Sequence, residues 1–118
     1  MRKGFTLVEI MIVVAIIGII LAIAIPGFIR AREVSRSRAC QENLSKVDGA
    51  KETWALEHSQ GDNATVGWDD IIGNTLYLKA TPGCPAGGAY TVNNVGTAPT
   101  CDYTEPTWLD TEFEHRLL

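Results

Sequence analysis

The sequence contains few of the residues that carry enzymatic chemistry. Its two histidines, His58 and His115, lie far apart in the chain. It has no serine in the glycine-flanked pattern of a nucleophile elbow, and no glycine loop of the kind that holds phosphates. We therefore predict a structural or binding protein that is not an enzyme and that needs no cofactor.

Basic residues are scarce in the second half of the chain. From Glu52 onward, ten acidic residues are accompanied by only Lys79 and Arg116. Neutralising phosphates requires clustered lysine and arginine, so this acidic part argues against specific nucleic-acid binding.

Charge is absent from the 20 residues between Ile10 and Ile29. A helix rises about 1.5 Å per residue, so this stretch matches the thickness of a bilayer core, about 30 Å. We predict a transmembrane helix. A cleaved secretory signal with a site at Ala22-Ile23-Ala24 is the alternative, but its apolar core would be shorter.

Glu9 lies at the start of this apolar stretch. A carboxylate costs about 2.5–3.5 kcal/mol deep in a bilayer and less near its edge, so it needs a partner. Cleavage between Gly4 and Phe5 would create a cationic α-amino group one helical turn away. The same pair could form between neighbouring chains and fix their axial register.

The run Gly4-Phe5-Thr6-Leu7-Val8-Glu9 resembles the prepilin cleavage motif of type IV pilins and type II secretion pseudopilins. The resemblance covers residues 1 to about 30. It implies that Gly4 and Phe5 flank the scissile bond, that Phe5 becomes N-methylated and that Glu9 acts in assembly. Gly18 and Pro26 fall where the family has helix-weakening residues, and Pro26 also deletes a backbone hydrogen bond.

The predicted fold is α+β, with a long N-terminal transmembrane-to-amphipathic helix and a small, disulfide-closed antiparallel β head. Residues 1–4 are the leader peptide, and residues 5–29 form the transmembrane and filament-core helix. Residues 30–60 continue as an amphipathic helix, and residues 61–118 form the β-rich head, with strands expected at 89–92 and 100–103.

One face of the amphipathic helix carries a stripe at steps of three and four residues: Cys40, Leu44, Val47, Lys51 and Trp54. We expect the Lys51 stem to lie along this stripe with its ammonium group in solvent. Cys40 is interpreted as a small buried apolar residue, because nothing pairs with it at metal-ligand spacing. We predict no metal site.

Cysteine is present in an odd number, three. If the head lies outside the cytoplasm, Cys84 and Cys101 are the natural disulfide pair, and the bridge would contribute about 3 kcal/mol. In a reducing compartment the same residues would be free thiols.

Asp69, Asp70 and Asp102 could contribute to a calcium site like that of major pseudopilins, since hard cations favour clustered oxygens. The sequence contains no recognisable ligand loop around them, so a solvated acidic surface explains them better.

The resulting interpretation is a pilin-like structural subunit that assembles with copies of itself into a type IV pilus. A major pseudopilin of a type II secretion system is the alternative, and a membrane-tethered binding module that never polymerises is the second. The resemblance implies a prepilin peptidase, a platform protein and a motor ATPase as partners. It also implies a bacterial inner-membrane location before assembly, with the N-terminus cytoplasmic and the head outside. A positive-inside count of the arginines after the helix would orient the chain the other way.

Overall fold

The computed structural model of the chain describes residues 2–109 and 113–117. In chain order its elements are helix α1 (Leu7–Glu57), the short helix α2 (Trp68–Ile71), strand β1 (Tyr90–Thr91) and strand β2 (Thr100–Cys101). A long, apolar N-terminal helix and a small antiparallel sheet confirm the predicted α+β class. The chain divides into two compact units, Met1–Arg32 and Glu33–Leu118.

Helix α1 begins with a capping box. The Thr6 hydroxyl accepts a hydrogen bond from the Glu9 N–H at 3.3 Å. In return, Glu9 Oε2 accepts the Thr6 N–H at 2.7 Å and the Thr6 hydroxyl at 2.9 Å. Such a reciprocal pair satisfies backbone donors that the first helical turn leaves unpaired. The helix therefore starts three residues before the charge-free stretch.

In the first unit, the side chains of residues 2–32 are all exposed. By length and composition, α1 is long and apolar enough to cross a membrane. An apolar surface of this extent is unfavourable in water, so the segment requires lipid or another protein surface.

Helix α1 continues through Gly18 and Pro26. Proline has no N–H to donate to the preceding turn, so Pro26 removes one backbone hydrogen bond while leaving the helix intact. The expected weakening of the helix at these two residues stays a prediction.

The second unit is built around the predicted stripe of α1. Cys40, Leu44 and Val47 are fully buried, which confirms the stripe as the face that the head covers. One group of buried residues packs around Val47, and half-buried Trp54, Trp68, Tyr77 and Leu78 lie against it. A second group contains Cys40, Leu44 and Cys84, with half-buried Tyr90, Cys101, Tyr103 and Leu117 against it.

Lys51 departs from the expectation of a solvated ammonium group. Its side chain is 0% exposed. The ammonium group donates to the carbonyl oxygens of Val92, at 3.0 Å, and of Thr97, and it lies 3.5 Å from an Asp48 carboxylate oxygen. The stripe therefore contains a buried charge, because two main-chain carbonyls from the head replace the water that the ammonium group would otherwise bind.

The two strands pair antiparallel, with Tyr90 opposite Cys101 and Thr91 opposite Thr100. Each lies inside the range predicted for it but is only two residues long. An isolated bridge between Thr100 and Arg116 adds the C-terminal segment beside β2. Much of the head is consequently irregular chain whose position depends on side-chain contacts with α1.

Candidate functional site

Gly4 and Phe5 lie before the first turn of α1, in backbone that is neither helix nor strand. Both are exposed, and the Phe5 side chain is 87% exposed. A Cβ built on Gly4 meets none of the described atoms within 4 Å. Proteolysis concentrates in exposed chain outside regular structure, so the Gly4–Phe5 bond is accessible to a peptidase.

The Glu9 carboxylate faces the same short segment. Lys3, Gly4, Phe5 and Glu9 line one open groove. Because Glu9 Oε2 already accepts the Thr6 N–H at 2.7 Å, it is held one residue away from the nitrogen that cleavage after Gly4 would free. The Thr6-Leu7-Val8-Glu9 pattern that specifies this cap is a capping-box signal in the sequence, which the predicted role of Glu9 does not include.

The predicted disulfide residues Cys84 and Cys101 are close together, but both are free thiols. The disulfide stays a prediction. Cys40 and His115 join them, and one ligand atom from each of the four residues lies within 4.8 Å of the others. The sequence offers Cys40 no partner at metal-ligand spacing, whereas the fold brings it close to residues that are distant in sequence.

Burial is the largest single influence on the pKa of each of these four side chains, although it does not decide the direction for Cys84. It raises the pKa of the Cys40 thiol to about 12. Burial alone would also raise the pKa of the Cys84 thiol, but N–H groups of Ala86 and Gly88 donate to its sulfur and the net pKa is lowered. Burial lowers the pKa of His115, against the opposing effect of the carboxylates of Glu105 and Glu33, so its imidazole is neutral at neutral pH.

Two of the three aspartates considered for calcium, Asp70 and Asp102, accept hydrogen bonds from the backbone. Asp70 Oδ2 accepts the Gly67 N–H at 2.8 Å, which caps α2. Asp102 Oδ1 accepts the Ala89 N–H at 2.6 Å, beside the β1–β2 pair. These hydrogen bonds give both carboxylates a structural role in the head.

Fold and motif together define a class: proteins with an exposed, apolar N-terminal helix preceded by an accessible processing sequence. A family profile described as the prokaryotic N-terminal methylation motif matches residues 1–25. The match contains Gly4, Phe5 and Glu9, the residues on which the sequence prediction rests.

Curated relatives extend the similarity beyond the motif. A type IV major fimbrial protein FimA of Dichelobacter nodosus is 44% identical over 71 residues, which cover 58% of this chain and 44% of the relative. The type IV major pilin protein PilA of Myxococcus xanthus (strain DK1622) is 47% identical over 56 residues, which cover 48% of this chain and 26% of the relative. A fimbrial protein of Moraxella nonliquefaciens is 39% identical over 87 residues, which cover 68% of this chain and 53% of the relative.

These matches confirm the predicted resemblance to the type IV pilin family. The chain spans less than half the length of the FimA and PilA relatives named here. No solved structure matches it at a significant level.

Proposed function

We propose that this chain is a structural subunit of a type IV pilus, cleaved by a prepilin peptidase between Gly4 and Phe5 and then assembled with copies of itself. One observation carries the proposal: a methylation motif matches residues 1–25, and the helix that it overlaps has exposed side chains throughout residues 10–29. A surface of this kind is stable in lipid before assembly and between packed helices afterwards.

Glu9 links processing to assembly in this proposal. Before cleavage, its carboxylate caps the helix through Thr6. Cleavage turns the Phe5 nitrogen, next to Thr6, into a cation that the carboxylate can meet within its own chain or in a neighbour. A buried ion pair of this kind selects register more than it adds stability.

The remaining parts of the proposal concern location and partners. The precursor crosses the inner membrane once, with its N-terminus in the cytoplasm and residues 61–118 outside. A platform protein and a cytoplasmic motor ATPase extract it, because the exposed apolar helix cannot leave the bilayer unaided. The relatives' names, which refer to fimbriae and pili, favour a pilus over the pseudopilus of a type II secretion system.

Mass spectrometry of the chain purified from producing cells tests the processing step. We expect an N-terminus at Phe5, free or methylated, and expect Gly4→Val to retain the leader. The structure leaves room for a side chain at Gly4, so retention would reflect the peptidase and not misfolding. Fibres built from chains that keep residues 1–4 would refute the proposal, and a terminus at Ile25 would identify an ordinary secreted protein.

Replacement of Glu9 tests the assembly step. Glu9→Ala should abolish sheared surface fibres seen by electron microscopy, while Glu52→Ala, an exposed glutamate of the same helix, should leave them unchanged. Immunoblotting of membranes controls for loss of the protein. A membrane-tethered module that never polymerises would keep its function in both variants.

A further inference from the structure

We propose that one zinc ion binds in the second unit, at a Cys₃His site formed by Cys40, Cys84, Cys101 and His115. Three thiolates and one imidazole form one of the usual ligand sets of structural zinc. The proposal concerns the head alone and does not depend on assembly of the chain into a pilus.

The four donor atoms have the spacing of a single tetrahedral ion. Zinc lies about 2.3 Å from sulfur and about 2.0–2.1 Å from nitrogen, so tetrahedral donors are about 3.6–3.8 Å apart. In the structure, the donors all lie within 4.8 Å of one another. The Cys84 Sγ and His115 Nδ1 atoms are 3.2 Å apart. Small side-chain rotations would therefore bring all four onto one ion.

Three of the four ligand residues are buried from water, and Cys101 is half-buried. Cys40 is 0% exposed, His115 3% and Cys84 9%. The candidate ligand atom of His115 is Nδ1, because it faces Cys84 Sγ at 3.2 Å. A metal held by the imidazole would account for a histidine in an otherwise apolar position.

The chain around Cys84 has the features of a thiolate-binding turn. The Gly87 N–H donates to the Cys84 carbonyl at 2.9 Å, and Gly87 adopts a positive φ of 96°. This turn directs the N–H groups of Ala86 and Gly88 toward the Cys84 sulfur. Hydrogen bonds to a ligating sulfur orient it and stabilise its charge, as outer partners commonly do at metal sites.

The fourth ligand is held in place by contacts independent of the cysteines. The Ser37 hydroxyl donates to the Phe113 carbonyl, and Gln41 Nε2 donates to the Glu114 carbonyl at 2.9 Å. The His115 N–H donates to a carboxylate oxygen of Glu105. These bonds bring the C-terminal segment against α1, so that the imidazole is directed at Cys84 before any metal binds.

A Cys84–Cys101 disulfide is the competing arrangement. It would use two of the four converging side chains and leave the Cys40 thiol and the His115 ring with packing contacts only. A zinc site uses all four and explains the odd number of cysteines. The two arrangements exclude each other, because oxidised sulfurs cannot act as thiolate ligands.

Titration of the full chain in detergent with Co²⁺, after reduction and without oxygen, tests the site. We expect one Co²⁺ per chain, with the visible absorption and sulfur-to-metal charge-transfer bands of a tetrahedral thiolate site. Zn²⁺ should displace it, since zinc binds such sites more tightly than cobalt. Zinc should also raise the thermal unfolding temperature of the head as its concentration increases.

Substitutions separate the zinc site from the disulfide. Cys40→Ala and His115→Gln should each weaken metal binding by more than about 100-fold, beyond the range typical of losing an outer partner. His58→Gln, a substitution of the exposed histidine, should leave the metal affinity unchanged. Near-ultraviolet circular dichroism checks that each variant folds. If Cys40→Ala does not fold, the number of Co²⁺ ions bound per wild-type chain and the metal affinity of His115→Gln test the proposal.

Three results would overturn the proposal. The first is a wild-type chain that gives no thiolate-to-cobalt bands. The second is a folded Cys40→Ala variant that binds as tightly as wild type. The third is a Cys84–Cys101 disulfide in chains alkylated at the moment of isolation from producing cells.

Discussion

Lys51→Met should destabilise the head by about 2–4 kcal/mol. Methionine keeps most of the volume of the buried stem but removes the ammonium group that donates to the carbonyls of Val92 and Thr97. Each buried acceptor left without a donor costs about 1–3 kcal/mol. Relief from burying a charge offsets part of this sum, since an uncharged side chain has no ammonium hydration to lose.

Urea unfolding followed by tryptophan fluorescence measures this change, because Trp54 and Trp68 pack against the same core. The matched control is Lys46→Met, at a lysine on the same helix whose side chain is 57% exposed and pairs with Glu42. An exposed pair contributes little, so the control should change stability by less than about 1 kcal/mol. If Lys51→Met proved as stable as wild type, the carbonyls would not depend on the ammonium group and our reasoning would be wrong.

Two further predictions concern the surface and the turn of the head. Gly88→Ala should destabilise the head by about 1–3 kcal/mol in the same assay, because the new Cβ would lie 2.6 Å from Cys101 Sγ. The control, Gly83→Ala, should be near neutral, because a Cβ there meets none of the described atoms within 4 Å. The Tyr77 hydroxyl donates to the Glu57 carboxylate, which raises the pKa of Tyr77; its contribution to stability is therefore present below about pH 10 and is lost as the pH rises further. Absorbance titration should show that Glu57→Ala returns one late-ionising tyrosine toward its ordinary pKa, while burial keeps the pKa of Tyr90 raised in both proteins. An unchanged titration curve would contradict the assignment.

The parts of the fold that could be predicted depend on neighbours in sequence. The stripe through Cys40, Leu44 and Val47 follows from helical periodicity, which needs no knowledge of what covers it. The start of the apolar segment and its motif are equally local. The Thr6–Glu9 capping box belongs to the same category, since its two residues are three positions apart.

The burial of the Lys51 ammonium group could not be predicted from neighbours in sequence. Periodicity places it on the covered face, but its burial depends on carbonyls at Val92 and Thr97, more than 40 residues later in the chain. Snorkelling toward solvent is the usual solution for a lysine on an apolar stripe. Main-chain acceptors for the ammonium group are available only because irregular chain in the head packs over the helix. The amino-acid composition does not predict this packing.

The cysteines show the same limit. Pairing Cys84 with Cys101 followed from their position in the turn-rich half, and β1 opposite β2 does bring that region together. The number and positions of the cysteines do not show that Cys40 lies beside this pair, because it is on α1, 44 residues before Cys84. They also do not show that the C-terminal segment places His115 at the same point. Ligand spacing in sequence detects sites built within one turn or hairpin. A site assembled from a helix, a turn, a strand and a terminal segment has no such spacing, so it becomes recognisable only when the four side chains are seen to converge.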